Sequence, residues 1–216
     1  MNASRSIINF IDDGKENSIT FKSLKTYLWI LIFMNMLSLF YVFGLSTRLS
    51  NIIGIMIGII LLFYFLYLIS IRNKKETYKL RFLNNGVLAL TYMCTFLFSA
   101  MLLLEYQKSK YWLYILCIST LFLAFLIYSF LIFVKIKNDT YGKANEIPKN
   151  KIILSSQIGS VIGLLMSNIT EGHFTENMED AICVGISILL SSIFSCGLIN
   201  FLKVYYINKY NLNEYC

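Results

Sequence analysis

Sixteen of the nineteen Lys and Arg residues fall in alternate gaps between long apolar runs, and that alternation limits the fold more than any other feature. A helix needs roughly 20 apolar residues to cross a hydrocarbon core about 30 Å thick, at about 1.5 Å of rise per residue. Runs of that kind lie at Tyr27 to Leu45, Asn51 to Ile71, Gly86 to Leu104, Trp112 to Val134 and Ala181 to Leu202. A shorter, more polar run from Ile152 to Asn168 makes a sixth, and no Asp, Glu, Lys, Arg or His interrupts any of them. Only helices and closed barrels satisfy backbone groups in lipid, and continuous runs lack a barrel's alternation. The sequence predicts an all-α integral membrane protein of six transmembrane helices arranged as three hairpins.

The basic residues set the orientation, because short loops rich in Lys and Arg stay on the cytoplasmic side. Arg5, Lys15, Lys22 and Lys25 precede the first run. Arg72, Lys74, Lys75, Lys79 and Arg81 fill the second gap, and Lys135, Lys137, Lys143, Lys149 and Lys151 the fourth. The tail adds Lys203 and Lys209, whereas the opposite side has Arg48, Lys108 and Lys110. An acidic loop with Glu171, Glu176, Glu179 and Asp180 also falls on that opposite side. Both termini are therefore expected in the cytoplasm: residues 1–26 as an N-terminal segment, 27–203 as the transmembrane domain and 204–216 as a tail. The first run reads as an uncleaved span, being too long for a signal sequence and lacking a small-residue cleavage pattern. Before it, Ile7, Ile8, Phe10 and Ile11 suit either a short helix on the inner membrane surface or a flexible tail.

Composition fits a membrane protein, with 57% hydrophobic residues, 16% aromatics and one proline. The net charge of +7 is spread over loops without a basic face, so no nucleic-acid partner is expected. Fifteen Lys against four Arg, with abundant Asn, Ile and Tyr, suggests an AT-rich genome such as that of a low-GC bacterium, and a bacterial inner membrane is the expected location.

Catalytic and metal chemistry find little to work with. Cys94, Cys117, Cys183 and Cys196 lie inside runs, where a small soft side chain packs well, and no pair has metal-knuckle or thiol-exchange spacing. Cys216 lacks the upstream pattern of a prenylation site. The lone His173 sits in the acidic loop, outside the bilayer, and no Asp lies within it. An intramembrane protease would have no base or dyad. The chain is read as no enzyme, without cofactor or metal. Its deep polar groups are neutral, among them Asn35, Thr91, Thr95, Ser99, Ser119, Thr120 and Gln157. Proton-coupled carriers keep an ionisable group at depth, so that class is disfavoured too.

The third hairpin differs from the rest. Ser155, Gly159, Gly163 and Ser167 recur every fourth position of the fifth run, with Gln157 beside them. In the sixth, Cys183, Ser187, Ser191 and Ser195 form a matching stripe that leads to Asn200. Small residues at this spacing let two helix backbones approach and bond across the contact. Two readings stay open: tight packing of the helices, or a polar path or subunit contact. Gly54 and Gly58 in the second run make a further GxxxG packing candidate.

In size and three-hairpin layout the chain resembles the permease subunits of small peptide exporters, and equally bacterial self-immunity membrane proteins; the likeness is one of architecture, carried by no motif. It implies the membrane subunit of an export or self-protection system against a membrane-active peptide or toxin, with an ATPase docking on the basic cytoplasmic segments. One alternative is an immunity protein acting alone, its outer acidic loop engaging a cationic toxin. Another is a homo-oligomeric channel lined by the fifth and sixth helices.

Overall fold

The computed structural model describes residues 4–13, 15, 19–106, 111–141 and 176–212. Every regular element among them is an α-helix: α1 (Arg5–Asp12), α2 (Phe21–Leu45), α3 (Arg48–Ile71), α4 (Tyr78–Tyr106), α5 (Tyr111–Lys137), α6 (Glu176–Cys196) and α7 (Ile199–Lys209). Three of them, α2, α3 and α4, are long and apolar enough to cross a membrane, as is the stretch Ile182–Lys209 that joins α6 to α7. The fifth run, Ile152 to Asn168, lies outside the described residues.

Local chemistry explains where the helices begin and end. Thr20 caps α2 by accepting a hydrogen bond from the Ser23 amide at 3.3 Å, and the Glu76 carboxylate accepts from the Phe21 amide at 3.0 Å. Anionic acceptors suit this end because the first amides of a helix have no partner within it. At its other end α2 stops on Ser46, which takes a left-handed conformation (φ 51°). Thr47 then opens α3 with a reciprocal capping box, its hydroxyl accepting from the Ser50 amide while the Ser50 hydroxyl accepts from the Thr47 amide. Ser46 and Thr47 are the entire connection between α2 and α3.

Helix α4 is the axis of the bundle. Of its most apolar 18-residue window 56% is buried, against 22–24% for α2, α3 and the Ile182–Lys209 stretch. It packs on α2 and α3 on one side and on α6 and α7 on the other. Toward one end, Leu24, Leu31, Tyr64, Leu68, Ile71, Val87, Leu88 and Tyr92 form a cluster of α2, α3 and α4. Toward the other, Val42, Ile53, Ile57, Phe98 and Leu102 close the same three helices, and Val184 of α6 meets Ala100 and Leu104. Outward faces are apolar: Trp29 and Phe43 on α2 are 72% and 77% exposed, and Ile55, Ile59, Phe122 and Phe130 are exposed as well. Contiguous apolar surface of this extent would be a liability in water and is ordinary against lipid.

The basic segments meet at one end. The Ile19 amide donates to Asn85 Oδ1 at 2.9 Å and Asn84 Nδ2 donates to the Ile19 carbonyl at 3.3 Å, which ties the N-terminal connection to the start of α4. Helix α1 joins them there. Its Ile7, Phe10 and Ile11 are buried with Phe82 of α4, Ile132 and Ile136 of α5, and Ile199 and Ile207 of α7. Of the two readings open for this segment, the structure takes the helix, seated on protein rather than on open membrane. The Ser46–Thr47 turn and the start of α6 lie at the opposite end.

Candidate functional site

Polar side chains are buried along the contacts between the helices. Along the α2–α4 contact, Asn35 Nδ2 donates to Thr95 Oγ1 at 3.1 Å and to the Leu31 carbonyl at 2.8 Å. One turn toward the Ser46 end, three residues on in α2 and four in α4, the hydroxyls of Ser38 and Ser99 lie 2.8 Å apart. Thr95 and Ser99 return their own protons to the carbonyls of Thr91 and Thr95, and Thr91 donates to Leu88. Asn35, Thr91 and Thr95 are each about 1% exposed. The seam is satisfied throughout by neutral groups, which is what a helix contact in lipid requires of buried polar atoms.

On the far side of α4, the stripe read from the sixth run meets the same helix. Ser191 is fully buried and its hydroxyl donates to the Met93 carbonyl at 2.8 Å. Ser195 is also fully buried and donates to Ser192 within its own helix, and Ser187 is half-buried. Below them Gly197 sits where a methyl group would meet Ala89 Cβ at 2.6 Å. Asn200 donates to the Gly197 carbonyl at 2.8 Å, which occupies its amide at the break between α6 and α7. Tyr92 and Phe96 of α4 stack on Phe194 at 5.0 and 5.7 Å between ring centres. Ser155, Gln157, Gly159, Gly163 and Ser167, the partner stripe expected from the fifth run, lie outside the described residues, as do Glu171 and His173. Glu176, Glu179 and Asp180 fall in the first turns of α6. Of the GxxxG pair in α3, Gly54 faces Val42 of α2, whereas Gly58 has nothing within 4 Å of a would-be Cβ.

Toward the basic end, polar side chains tie loops to helices. Tyr64, fully buried, donates to the Leu24 carbonyl at 2.9 Å, and Tyr67 donates to Asn84 Oδ1 at 2.7 Å. The Arg81–Glu76 pair (3.6 Å) and the Lys15–Asp12 pair (2.6 Å) are partly exposed, a setting in which ion pairs add little stability.

Sequence reasoning missed the group around Lys203. Counted only among the cytoplasmic charges that end the chain, Lys203 is 6% exposed, its ammonium over the rings of Phe82 and Phe10 at 4.9 and 5.2 Å and donating to the Asp13 carbonyl. The i, i+3, i+4 spacing of Ile7, Phe10 and Ile11 was the signal for a docked helix, but nothing in it names Lys203 as the partner. Among the described residues no three His, Cys, Asp or Glu side chains gather as a metal site would need. What these contacts do is hold helices in register. No protein-family model, curated protein or solved structure matches the chain.

Proposed function

We propose that the chain is a non-enzymatic membrane protein of six spans, with both termini in the cytoplasm of a bacterial inner membrane. It serves as the membrane subunit of an export or self-protection system against a membrane-active peptide or toxin. The observation that carries this reading is the gathering of the basic segments at one end of an apolar-sided bundle, a face fitted to a soluble partner such as an ATPase. Parity of the path supports the span count. The described chain reaches Tyr141 at the basic end, where that residue bonds to α1, and Val184 lies at the opposite end beside Leu104. On this reading the run Ile152 to Asn168 would cross once between those two ends, with the first turn of α6 on the outer side.

The stand-alone immunity reading draws support from the same separation. Glu176, Glu179 and Asp180 open α6, at the end that this reading places outside, where opposite charge would favour an encounter with a cationic toxin. The channel reading draws less, because Ser191 and Ser195 are used in the α4 contact and within α6.

Affinity purification in mild detergent, with mass spectrometry of what co-elutes, separates the first two. A stoichiometric ATPase is the expected result. Recovery of the chain alone refutes the subunit reading, and loss of toxin protection on changing Glu176, Glu179 and Asp180 to Ser then identifies the immunity protein.

A further inference from the structure

Helix α1 carries its apolar face inward but brings neither of the charges a helix uses to finish its ends. It has no acidic residue in its first turn, no basic residue in its last, and its N-cap residue Ser4 makes no capping bond. Both ends are completed from elsewhere in the chain. At the N-terminus, the Ser6 amide donates to the Asp139 carboxylate at 3.2 Å. At the C-terminus, the carbonyl of the C-cap residue Asp13 accepts from the Lys203 ammonium of α7. An anion at the amino end and a cation at the carboxyl end are the signs a helix dipole favours. The turn that aims Asp139 is itself unusual. After α5 the amides of Asp139 and Thr140 bond back to Ile136 and Lys135, and Asp139 takes the left-handed conformation (φ 51°) that a helix end commonly gives to glycine. Side-chain contacts complete the clamp. Tyr141 donates to the Asp13 carboxylate at 2.9 Å, Asn9 donates to the Tyr141 carbonyl at 3.2 Å, and Phe10 meets the edges of Tyr141 and Tyr206.

Eight residues are too few to hold a helix in water, where isolated helices shorter than roughly 12–15 residues are marginal. We propose that α1 is a releasable strap: its buried Ile7, Phe10 and Ile11 seat it, Asp139 and Lys203 clamp its two ends, and its release frees the basic ends of α5 and α7 from each other. The inference rests on the contacts of α1 and not on the export reading.

The test is hydrogen exchange of the full chain in nanodiscs, comparing the natural sequence with Asp139→Gly and Lys203→Met. Glycine relieves the left-handed turn while removing the carboxylate, so Asp139→Gly separates the clamp from the turn. The expected result is exchange about tenfold faster across residues 6–13 in either variant, the loss of one charge-assisted bond, with α2 to α4 unchanged. A water-soluble amine reagent should label Lys203 slowly in the natural chain, and faster in Asp139→Gly. Unchanged α1 exchange in Asp139→Gly overturns the proposal. So does protection lost only together with that of α2 to α4, which would make α1 an inseparable part of the core.

Discussion

Adding one methyl group at Gly197 tests whether α4 and α6 are held at the spacing their small residues allow. The Cβ of Gly197→Ala would lie 2.6 Å from Ala89 Cβ and 3.1 Å from the Phe194 carbonyl oxygen. Carbon atoms in contact prefer about 3.5–4.0 Å, so the helices must part by about 1 Å. Parting also stretches the 2.8 Å bond from Ser191 to Met93. Overpacking of this kind costs roughly 1–3 kcal/mol. Gly197 has no left-handed backbone to protect, so the cost is one of space. The opposing change, Ala89→Gly, removes the methyl group that is struck and by itself costs about 1 kcal/mol of helix propensity. If the two sites were independent, the double variant would lose about 3 kcal/mol, taking the middle of the overpacking range. If they share one contact, it loses only about 1 kcal/mol, the Ala89→Gly cost alone. Unfolding equilibria of the four proteins in mixed micelles measure the difference. Additivity within about 0.5 kcal/mol would refute the close approach of α4 and α6 at this point.

Three further outcomes follow from the contacts. Asn35→Ala should weaken the α2–α4 contact by roughly 0.6 kcal/mol and at most about 1.7 kcal/mol, typical of single bonds between helices in membranes; because Thr95 keeps its own bond to Thr91, a loss above about 3 kcal/mol would mean a larger network. Tyr64→Phe should cost about 1 kcal/mol in the same micelle assay, as the Leu24 carbonyl loses a donor while the ring stays buried. In cells, Lys74→Cys should react with a membrane-impermeant maleimide only after the membrane is opened, and Thr47→Cys before it; the reverse pattern would overturn the orientation.

Most of the helices were legible because lipid leaves one strong signal, an unbroken apolar run, and four stretches long and apolar enough to cross a membrane match that expectation. The helices outrun the apolar stretches at their ends. Helix α2 begins six residues before Tyr27, and α4 eight before Gly86, since Thr20 and Glu76 give α2 its start and Asn84 and Asn85 are satisfied by the connection at Ile19. Partner choice was far less legible. Every face of a span is apolar, so hydrophobic periodicity does not tell a buried side from a lipid-facing one. The neutral residues noted for their depth, Asn35, Thr91, Thr95 and Ser99, turn out to be the better guide, because polar atoms in lipid must find one another. The stripe of Ser187, Ser191 and Ser195 announced a close contact but not that α4 supplies it. The α1 clamp was hidden for a different reason: its charges come from residues about 130 and 190 positions away, Asp139 and Lys203.

The connection of Ser46 and Thr47 carries a consequence for biogenesis. With both residues committed to ending one helix and capping the next, no slack remains for α2 to enter the bilayer and wait for α3. In the orientation proposed above, the two helices would enter the bilayer as one hairpin, with Arg48 carried across at its tip. Lengthening that tip with a flexible insert should let the first half integrate before the second, and so uncouple two events that the native hairpin makes one.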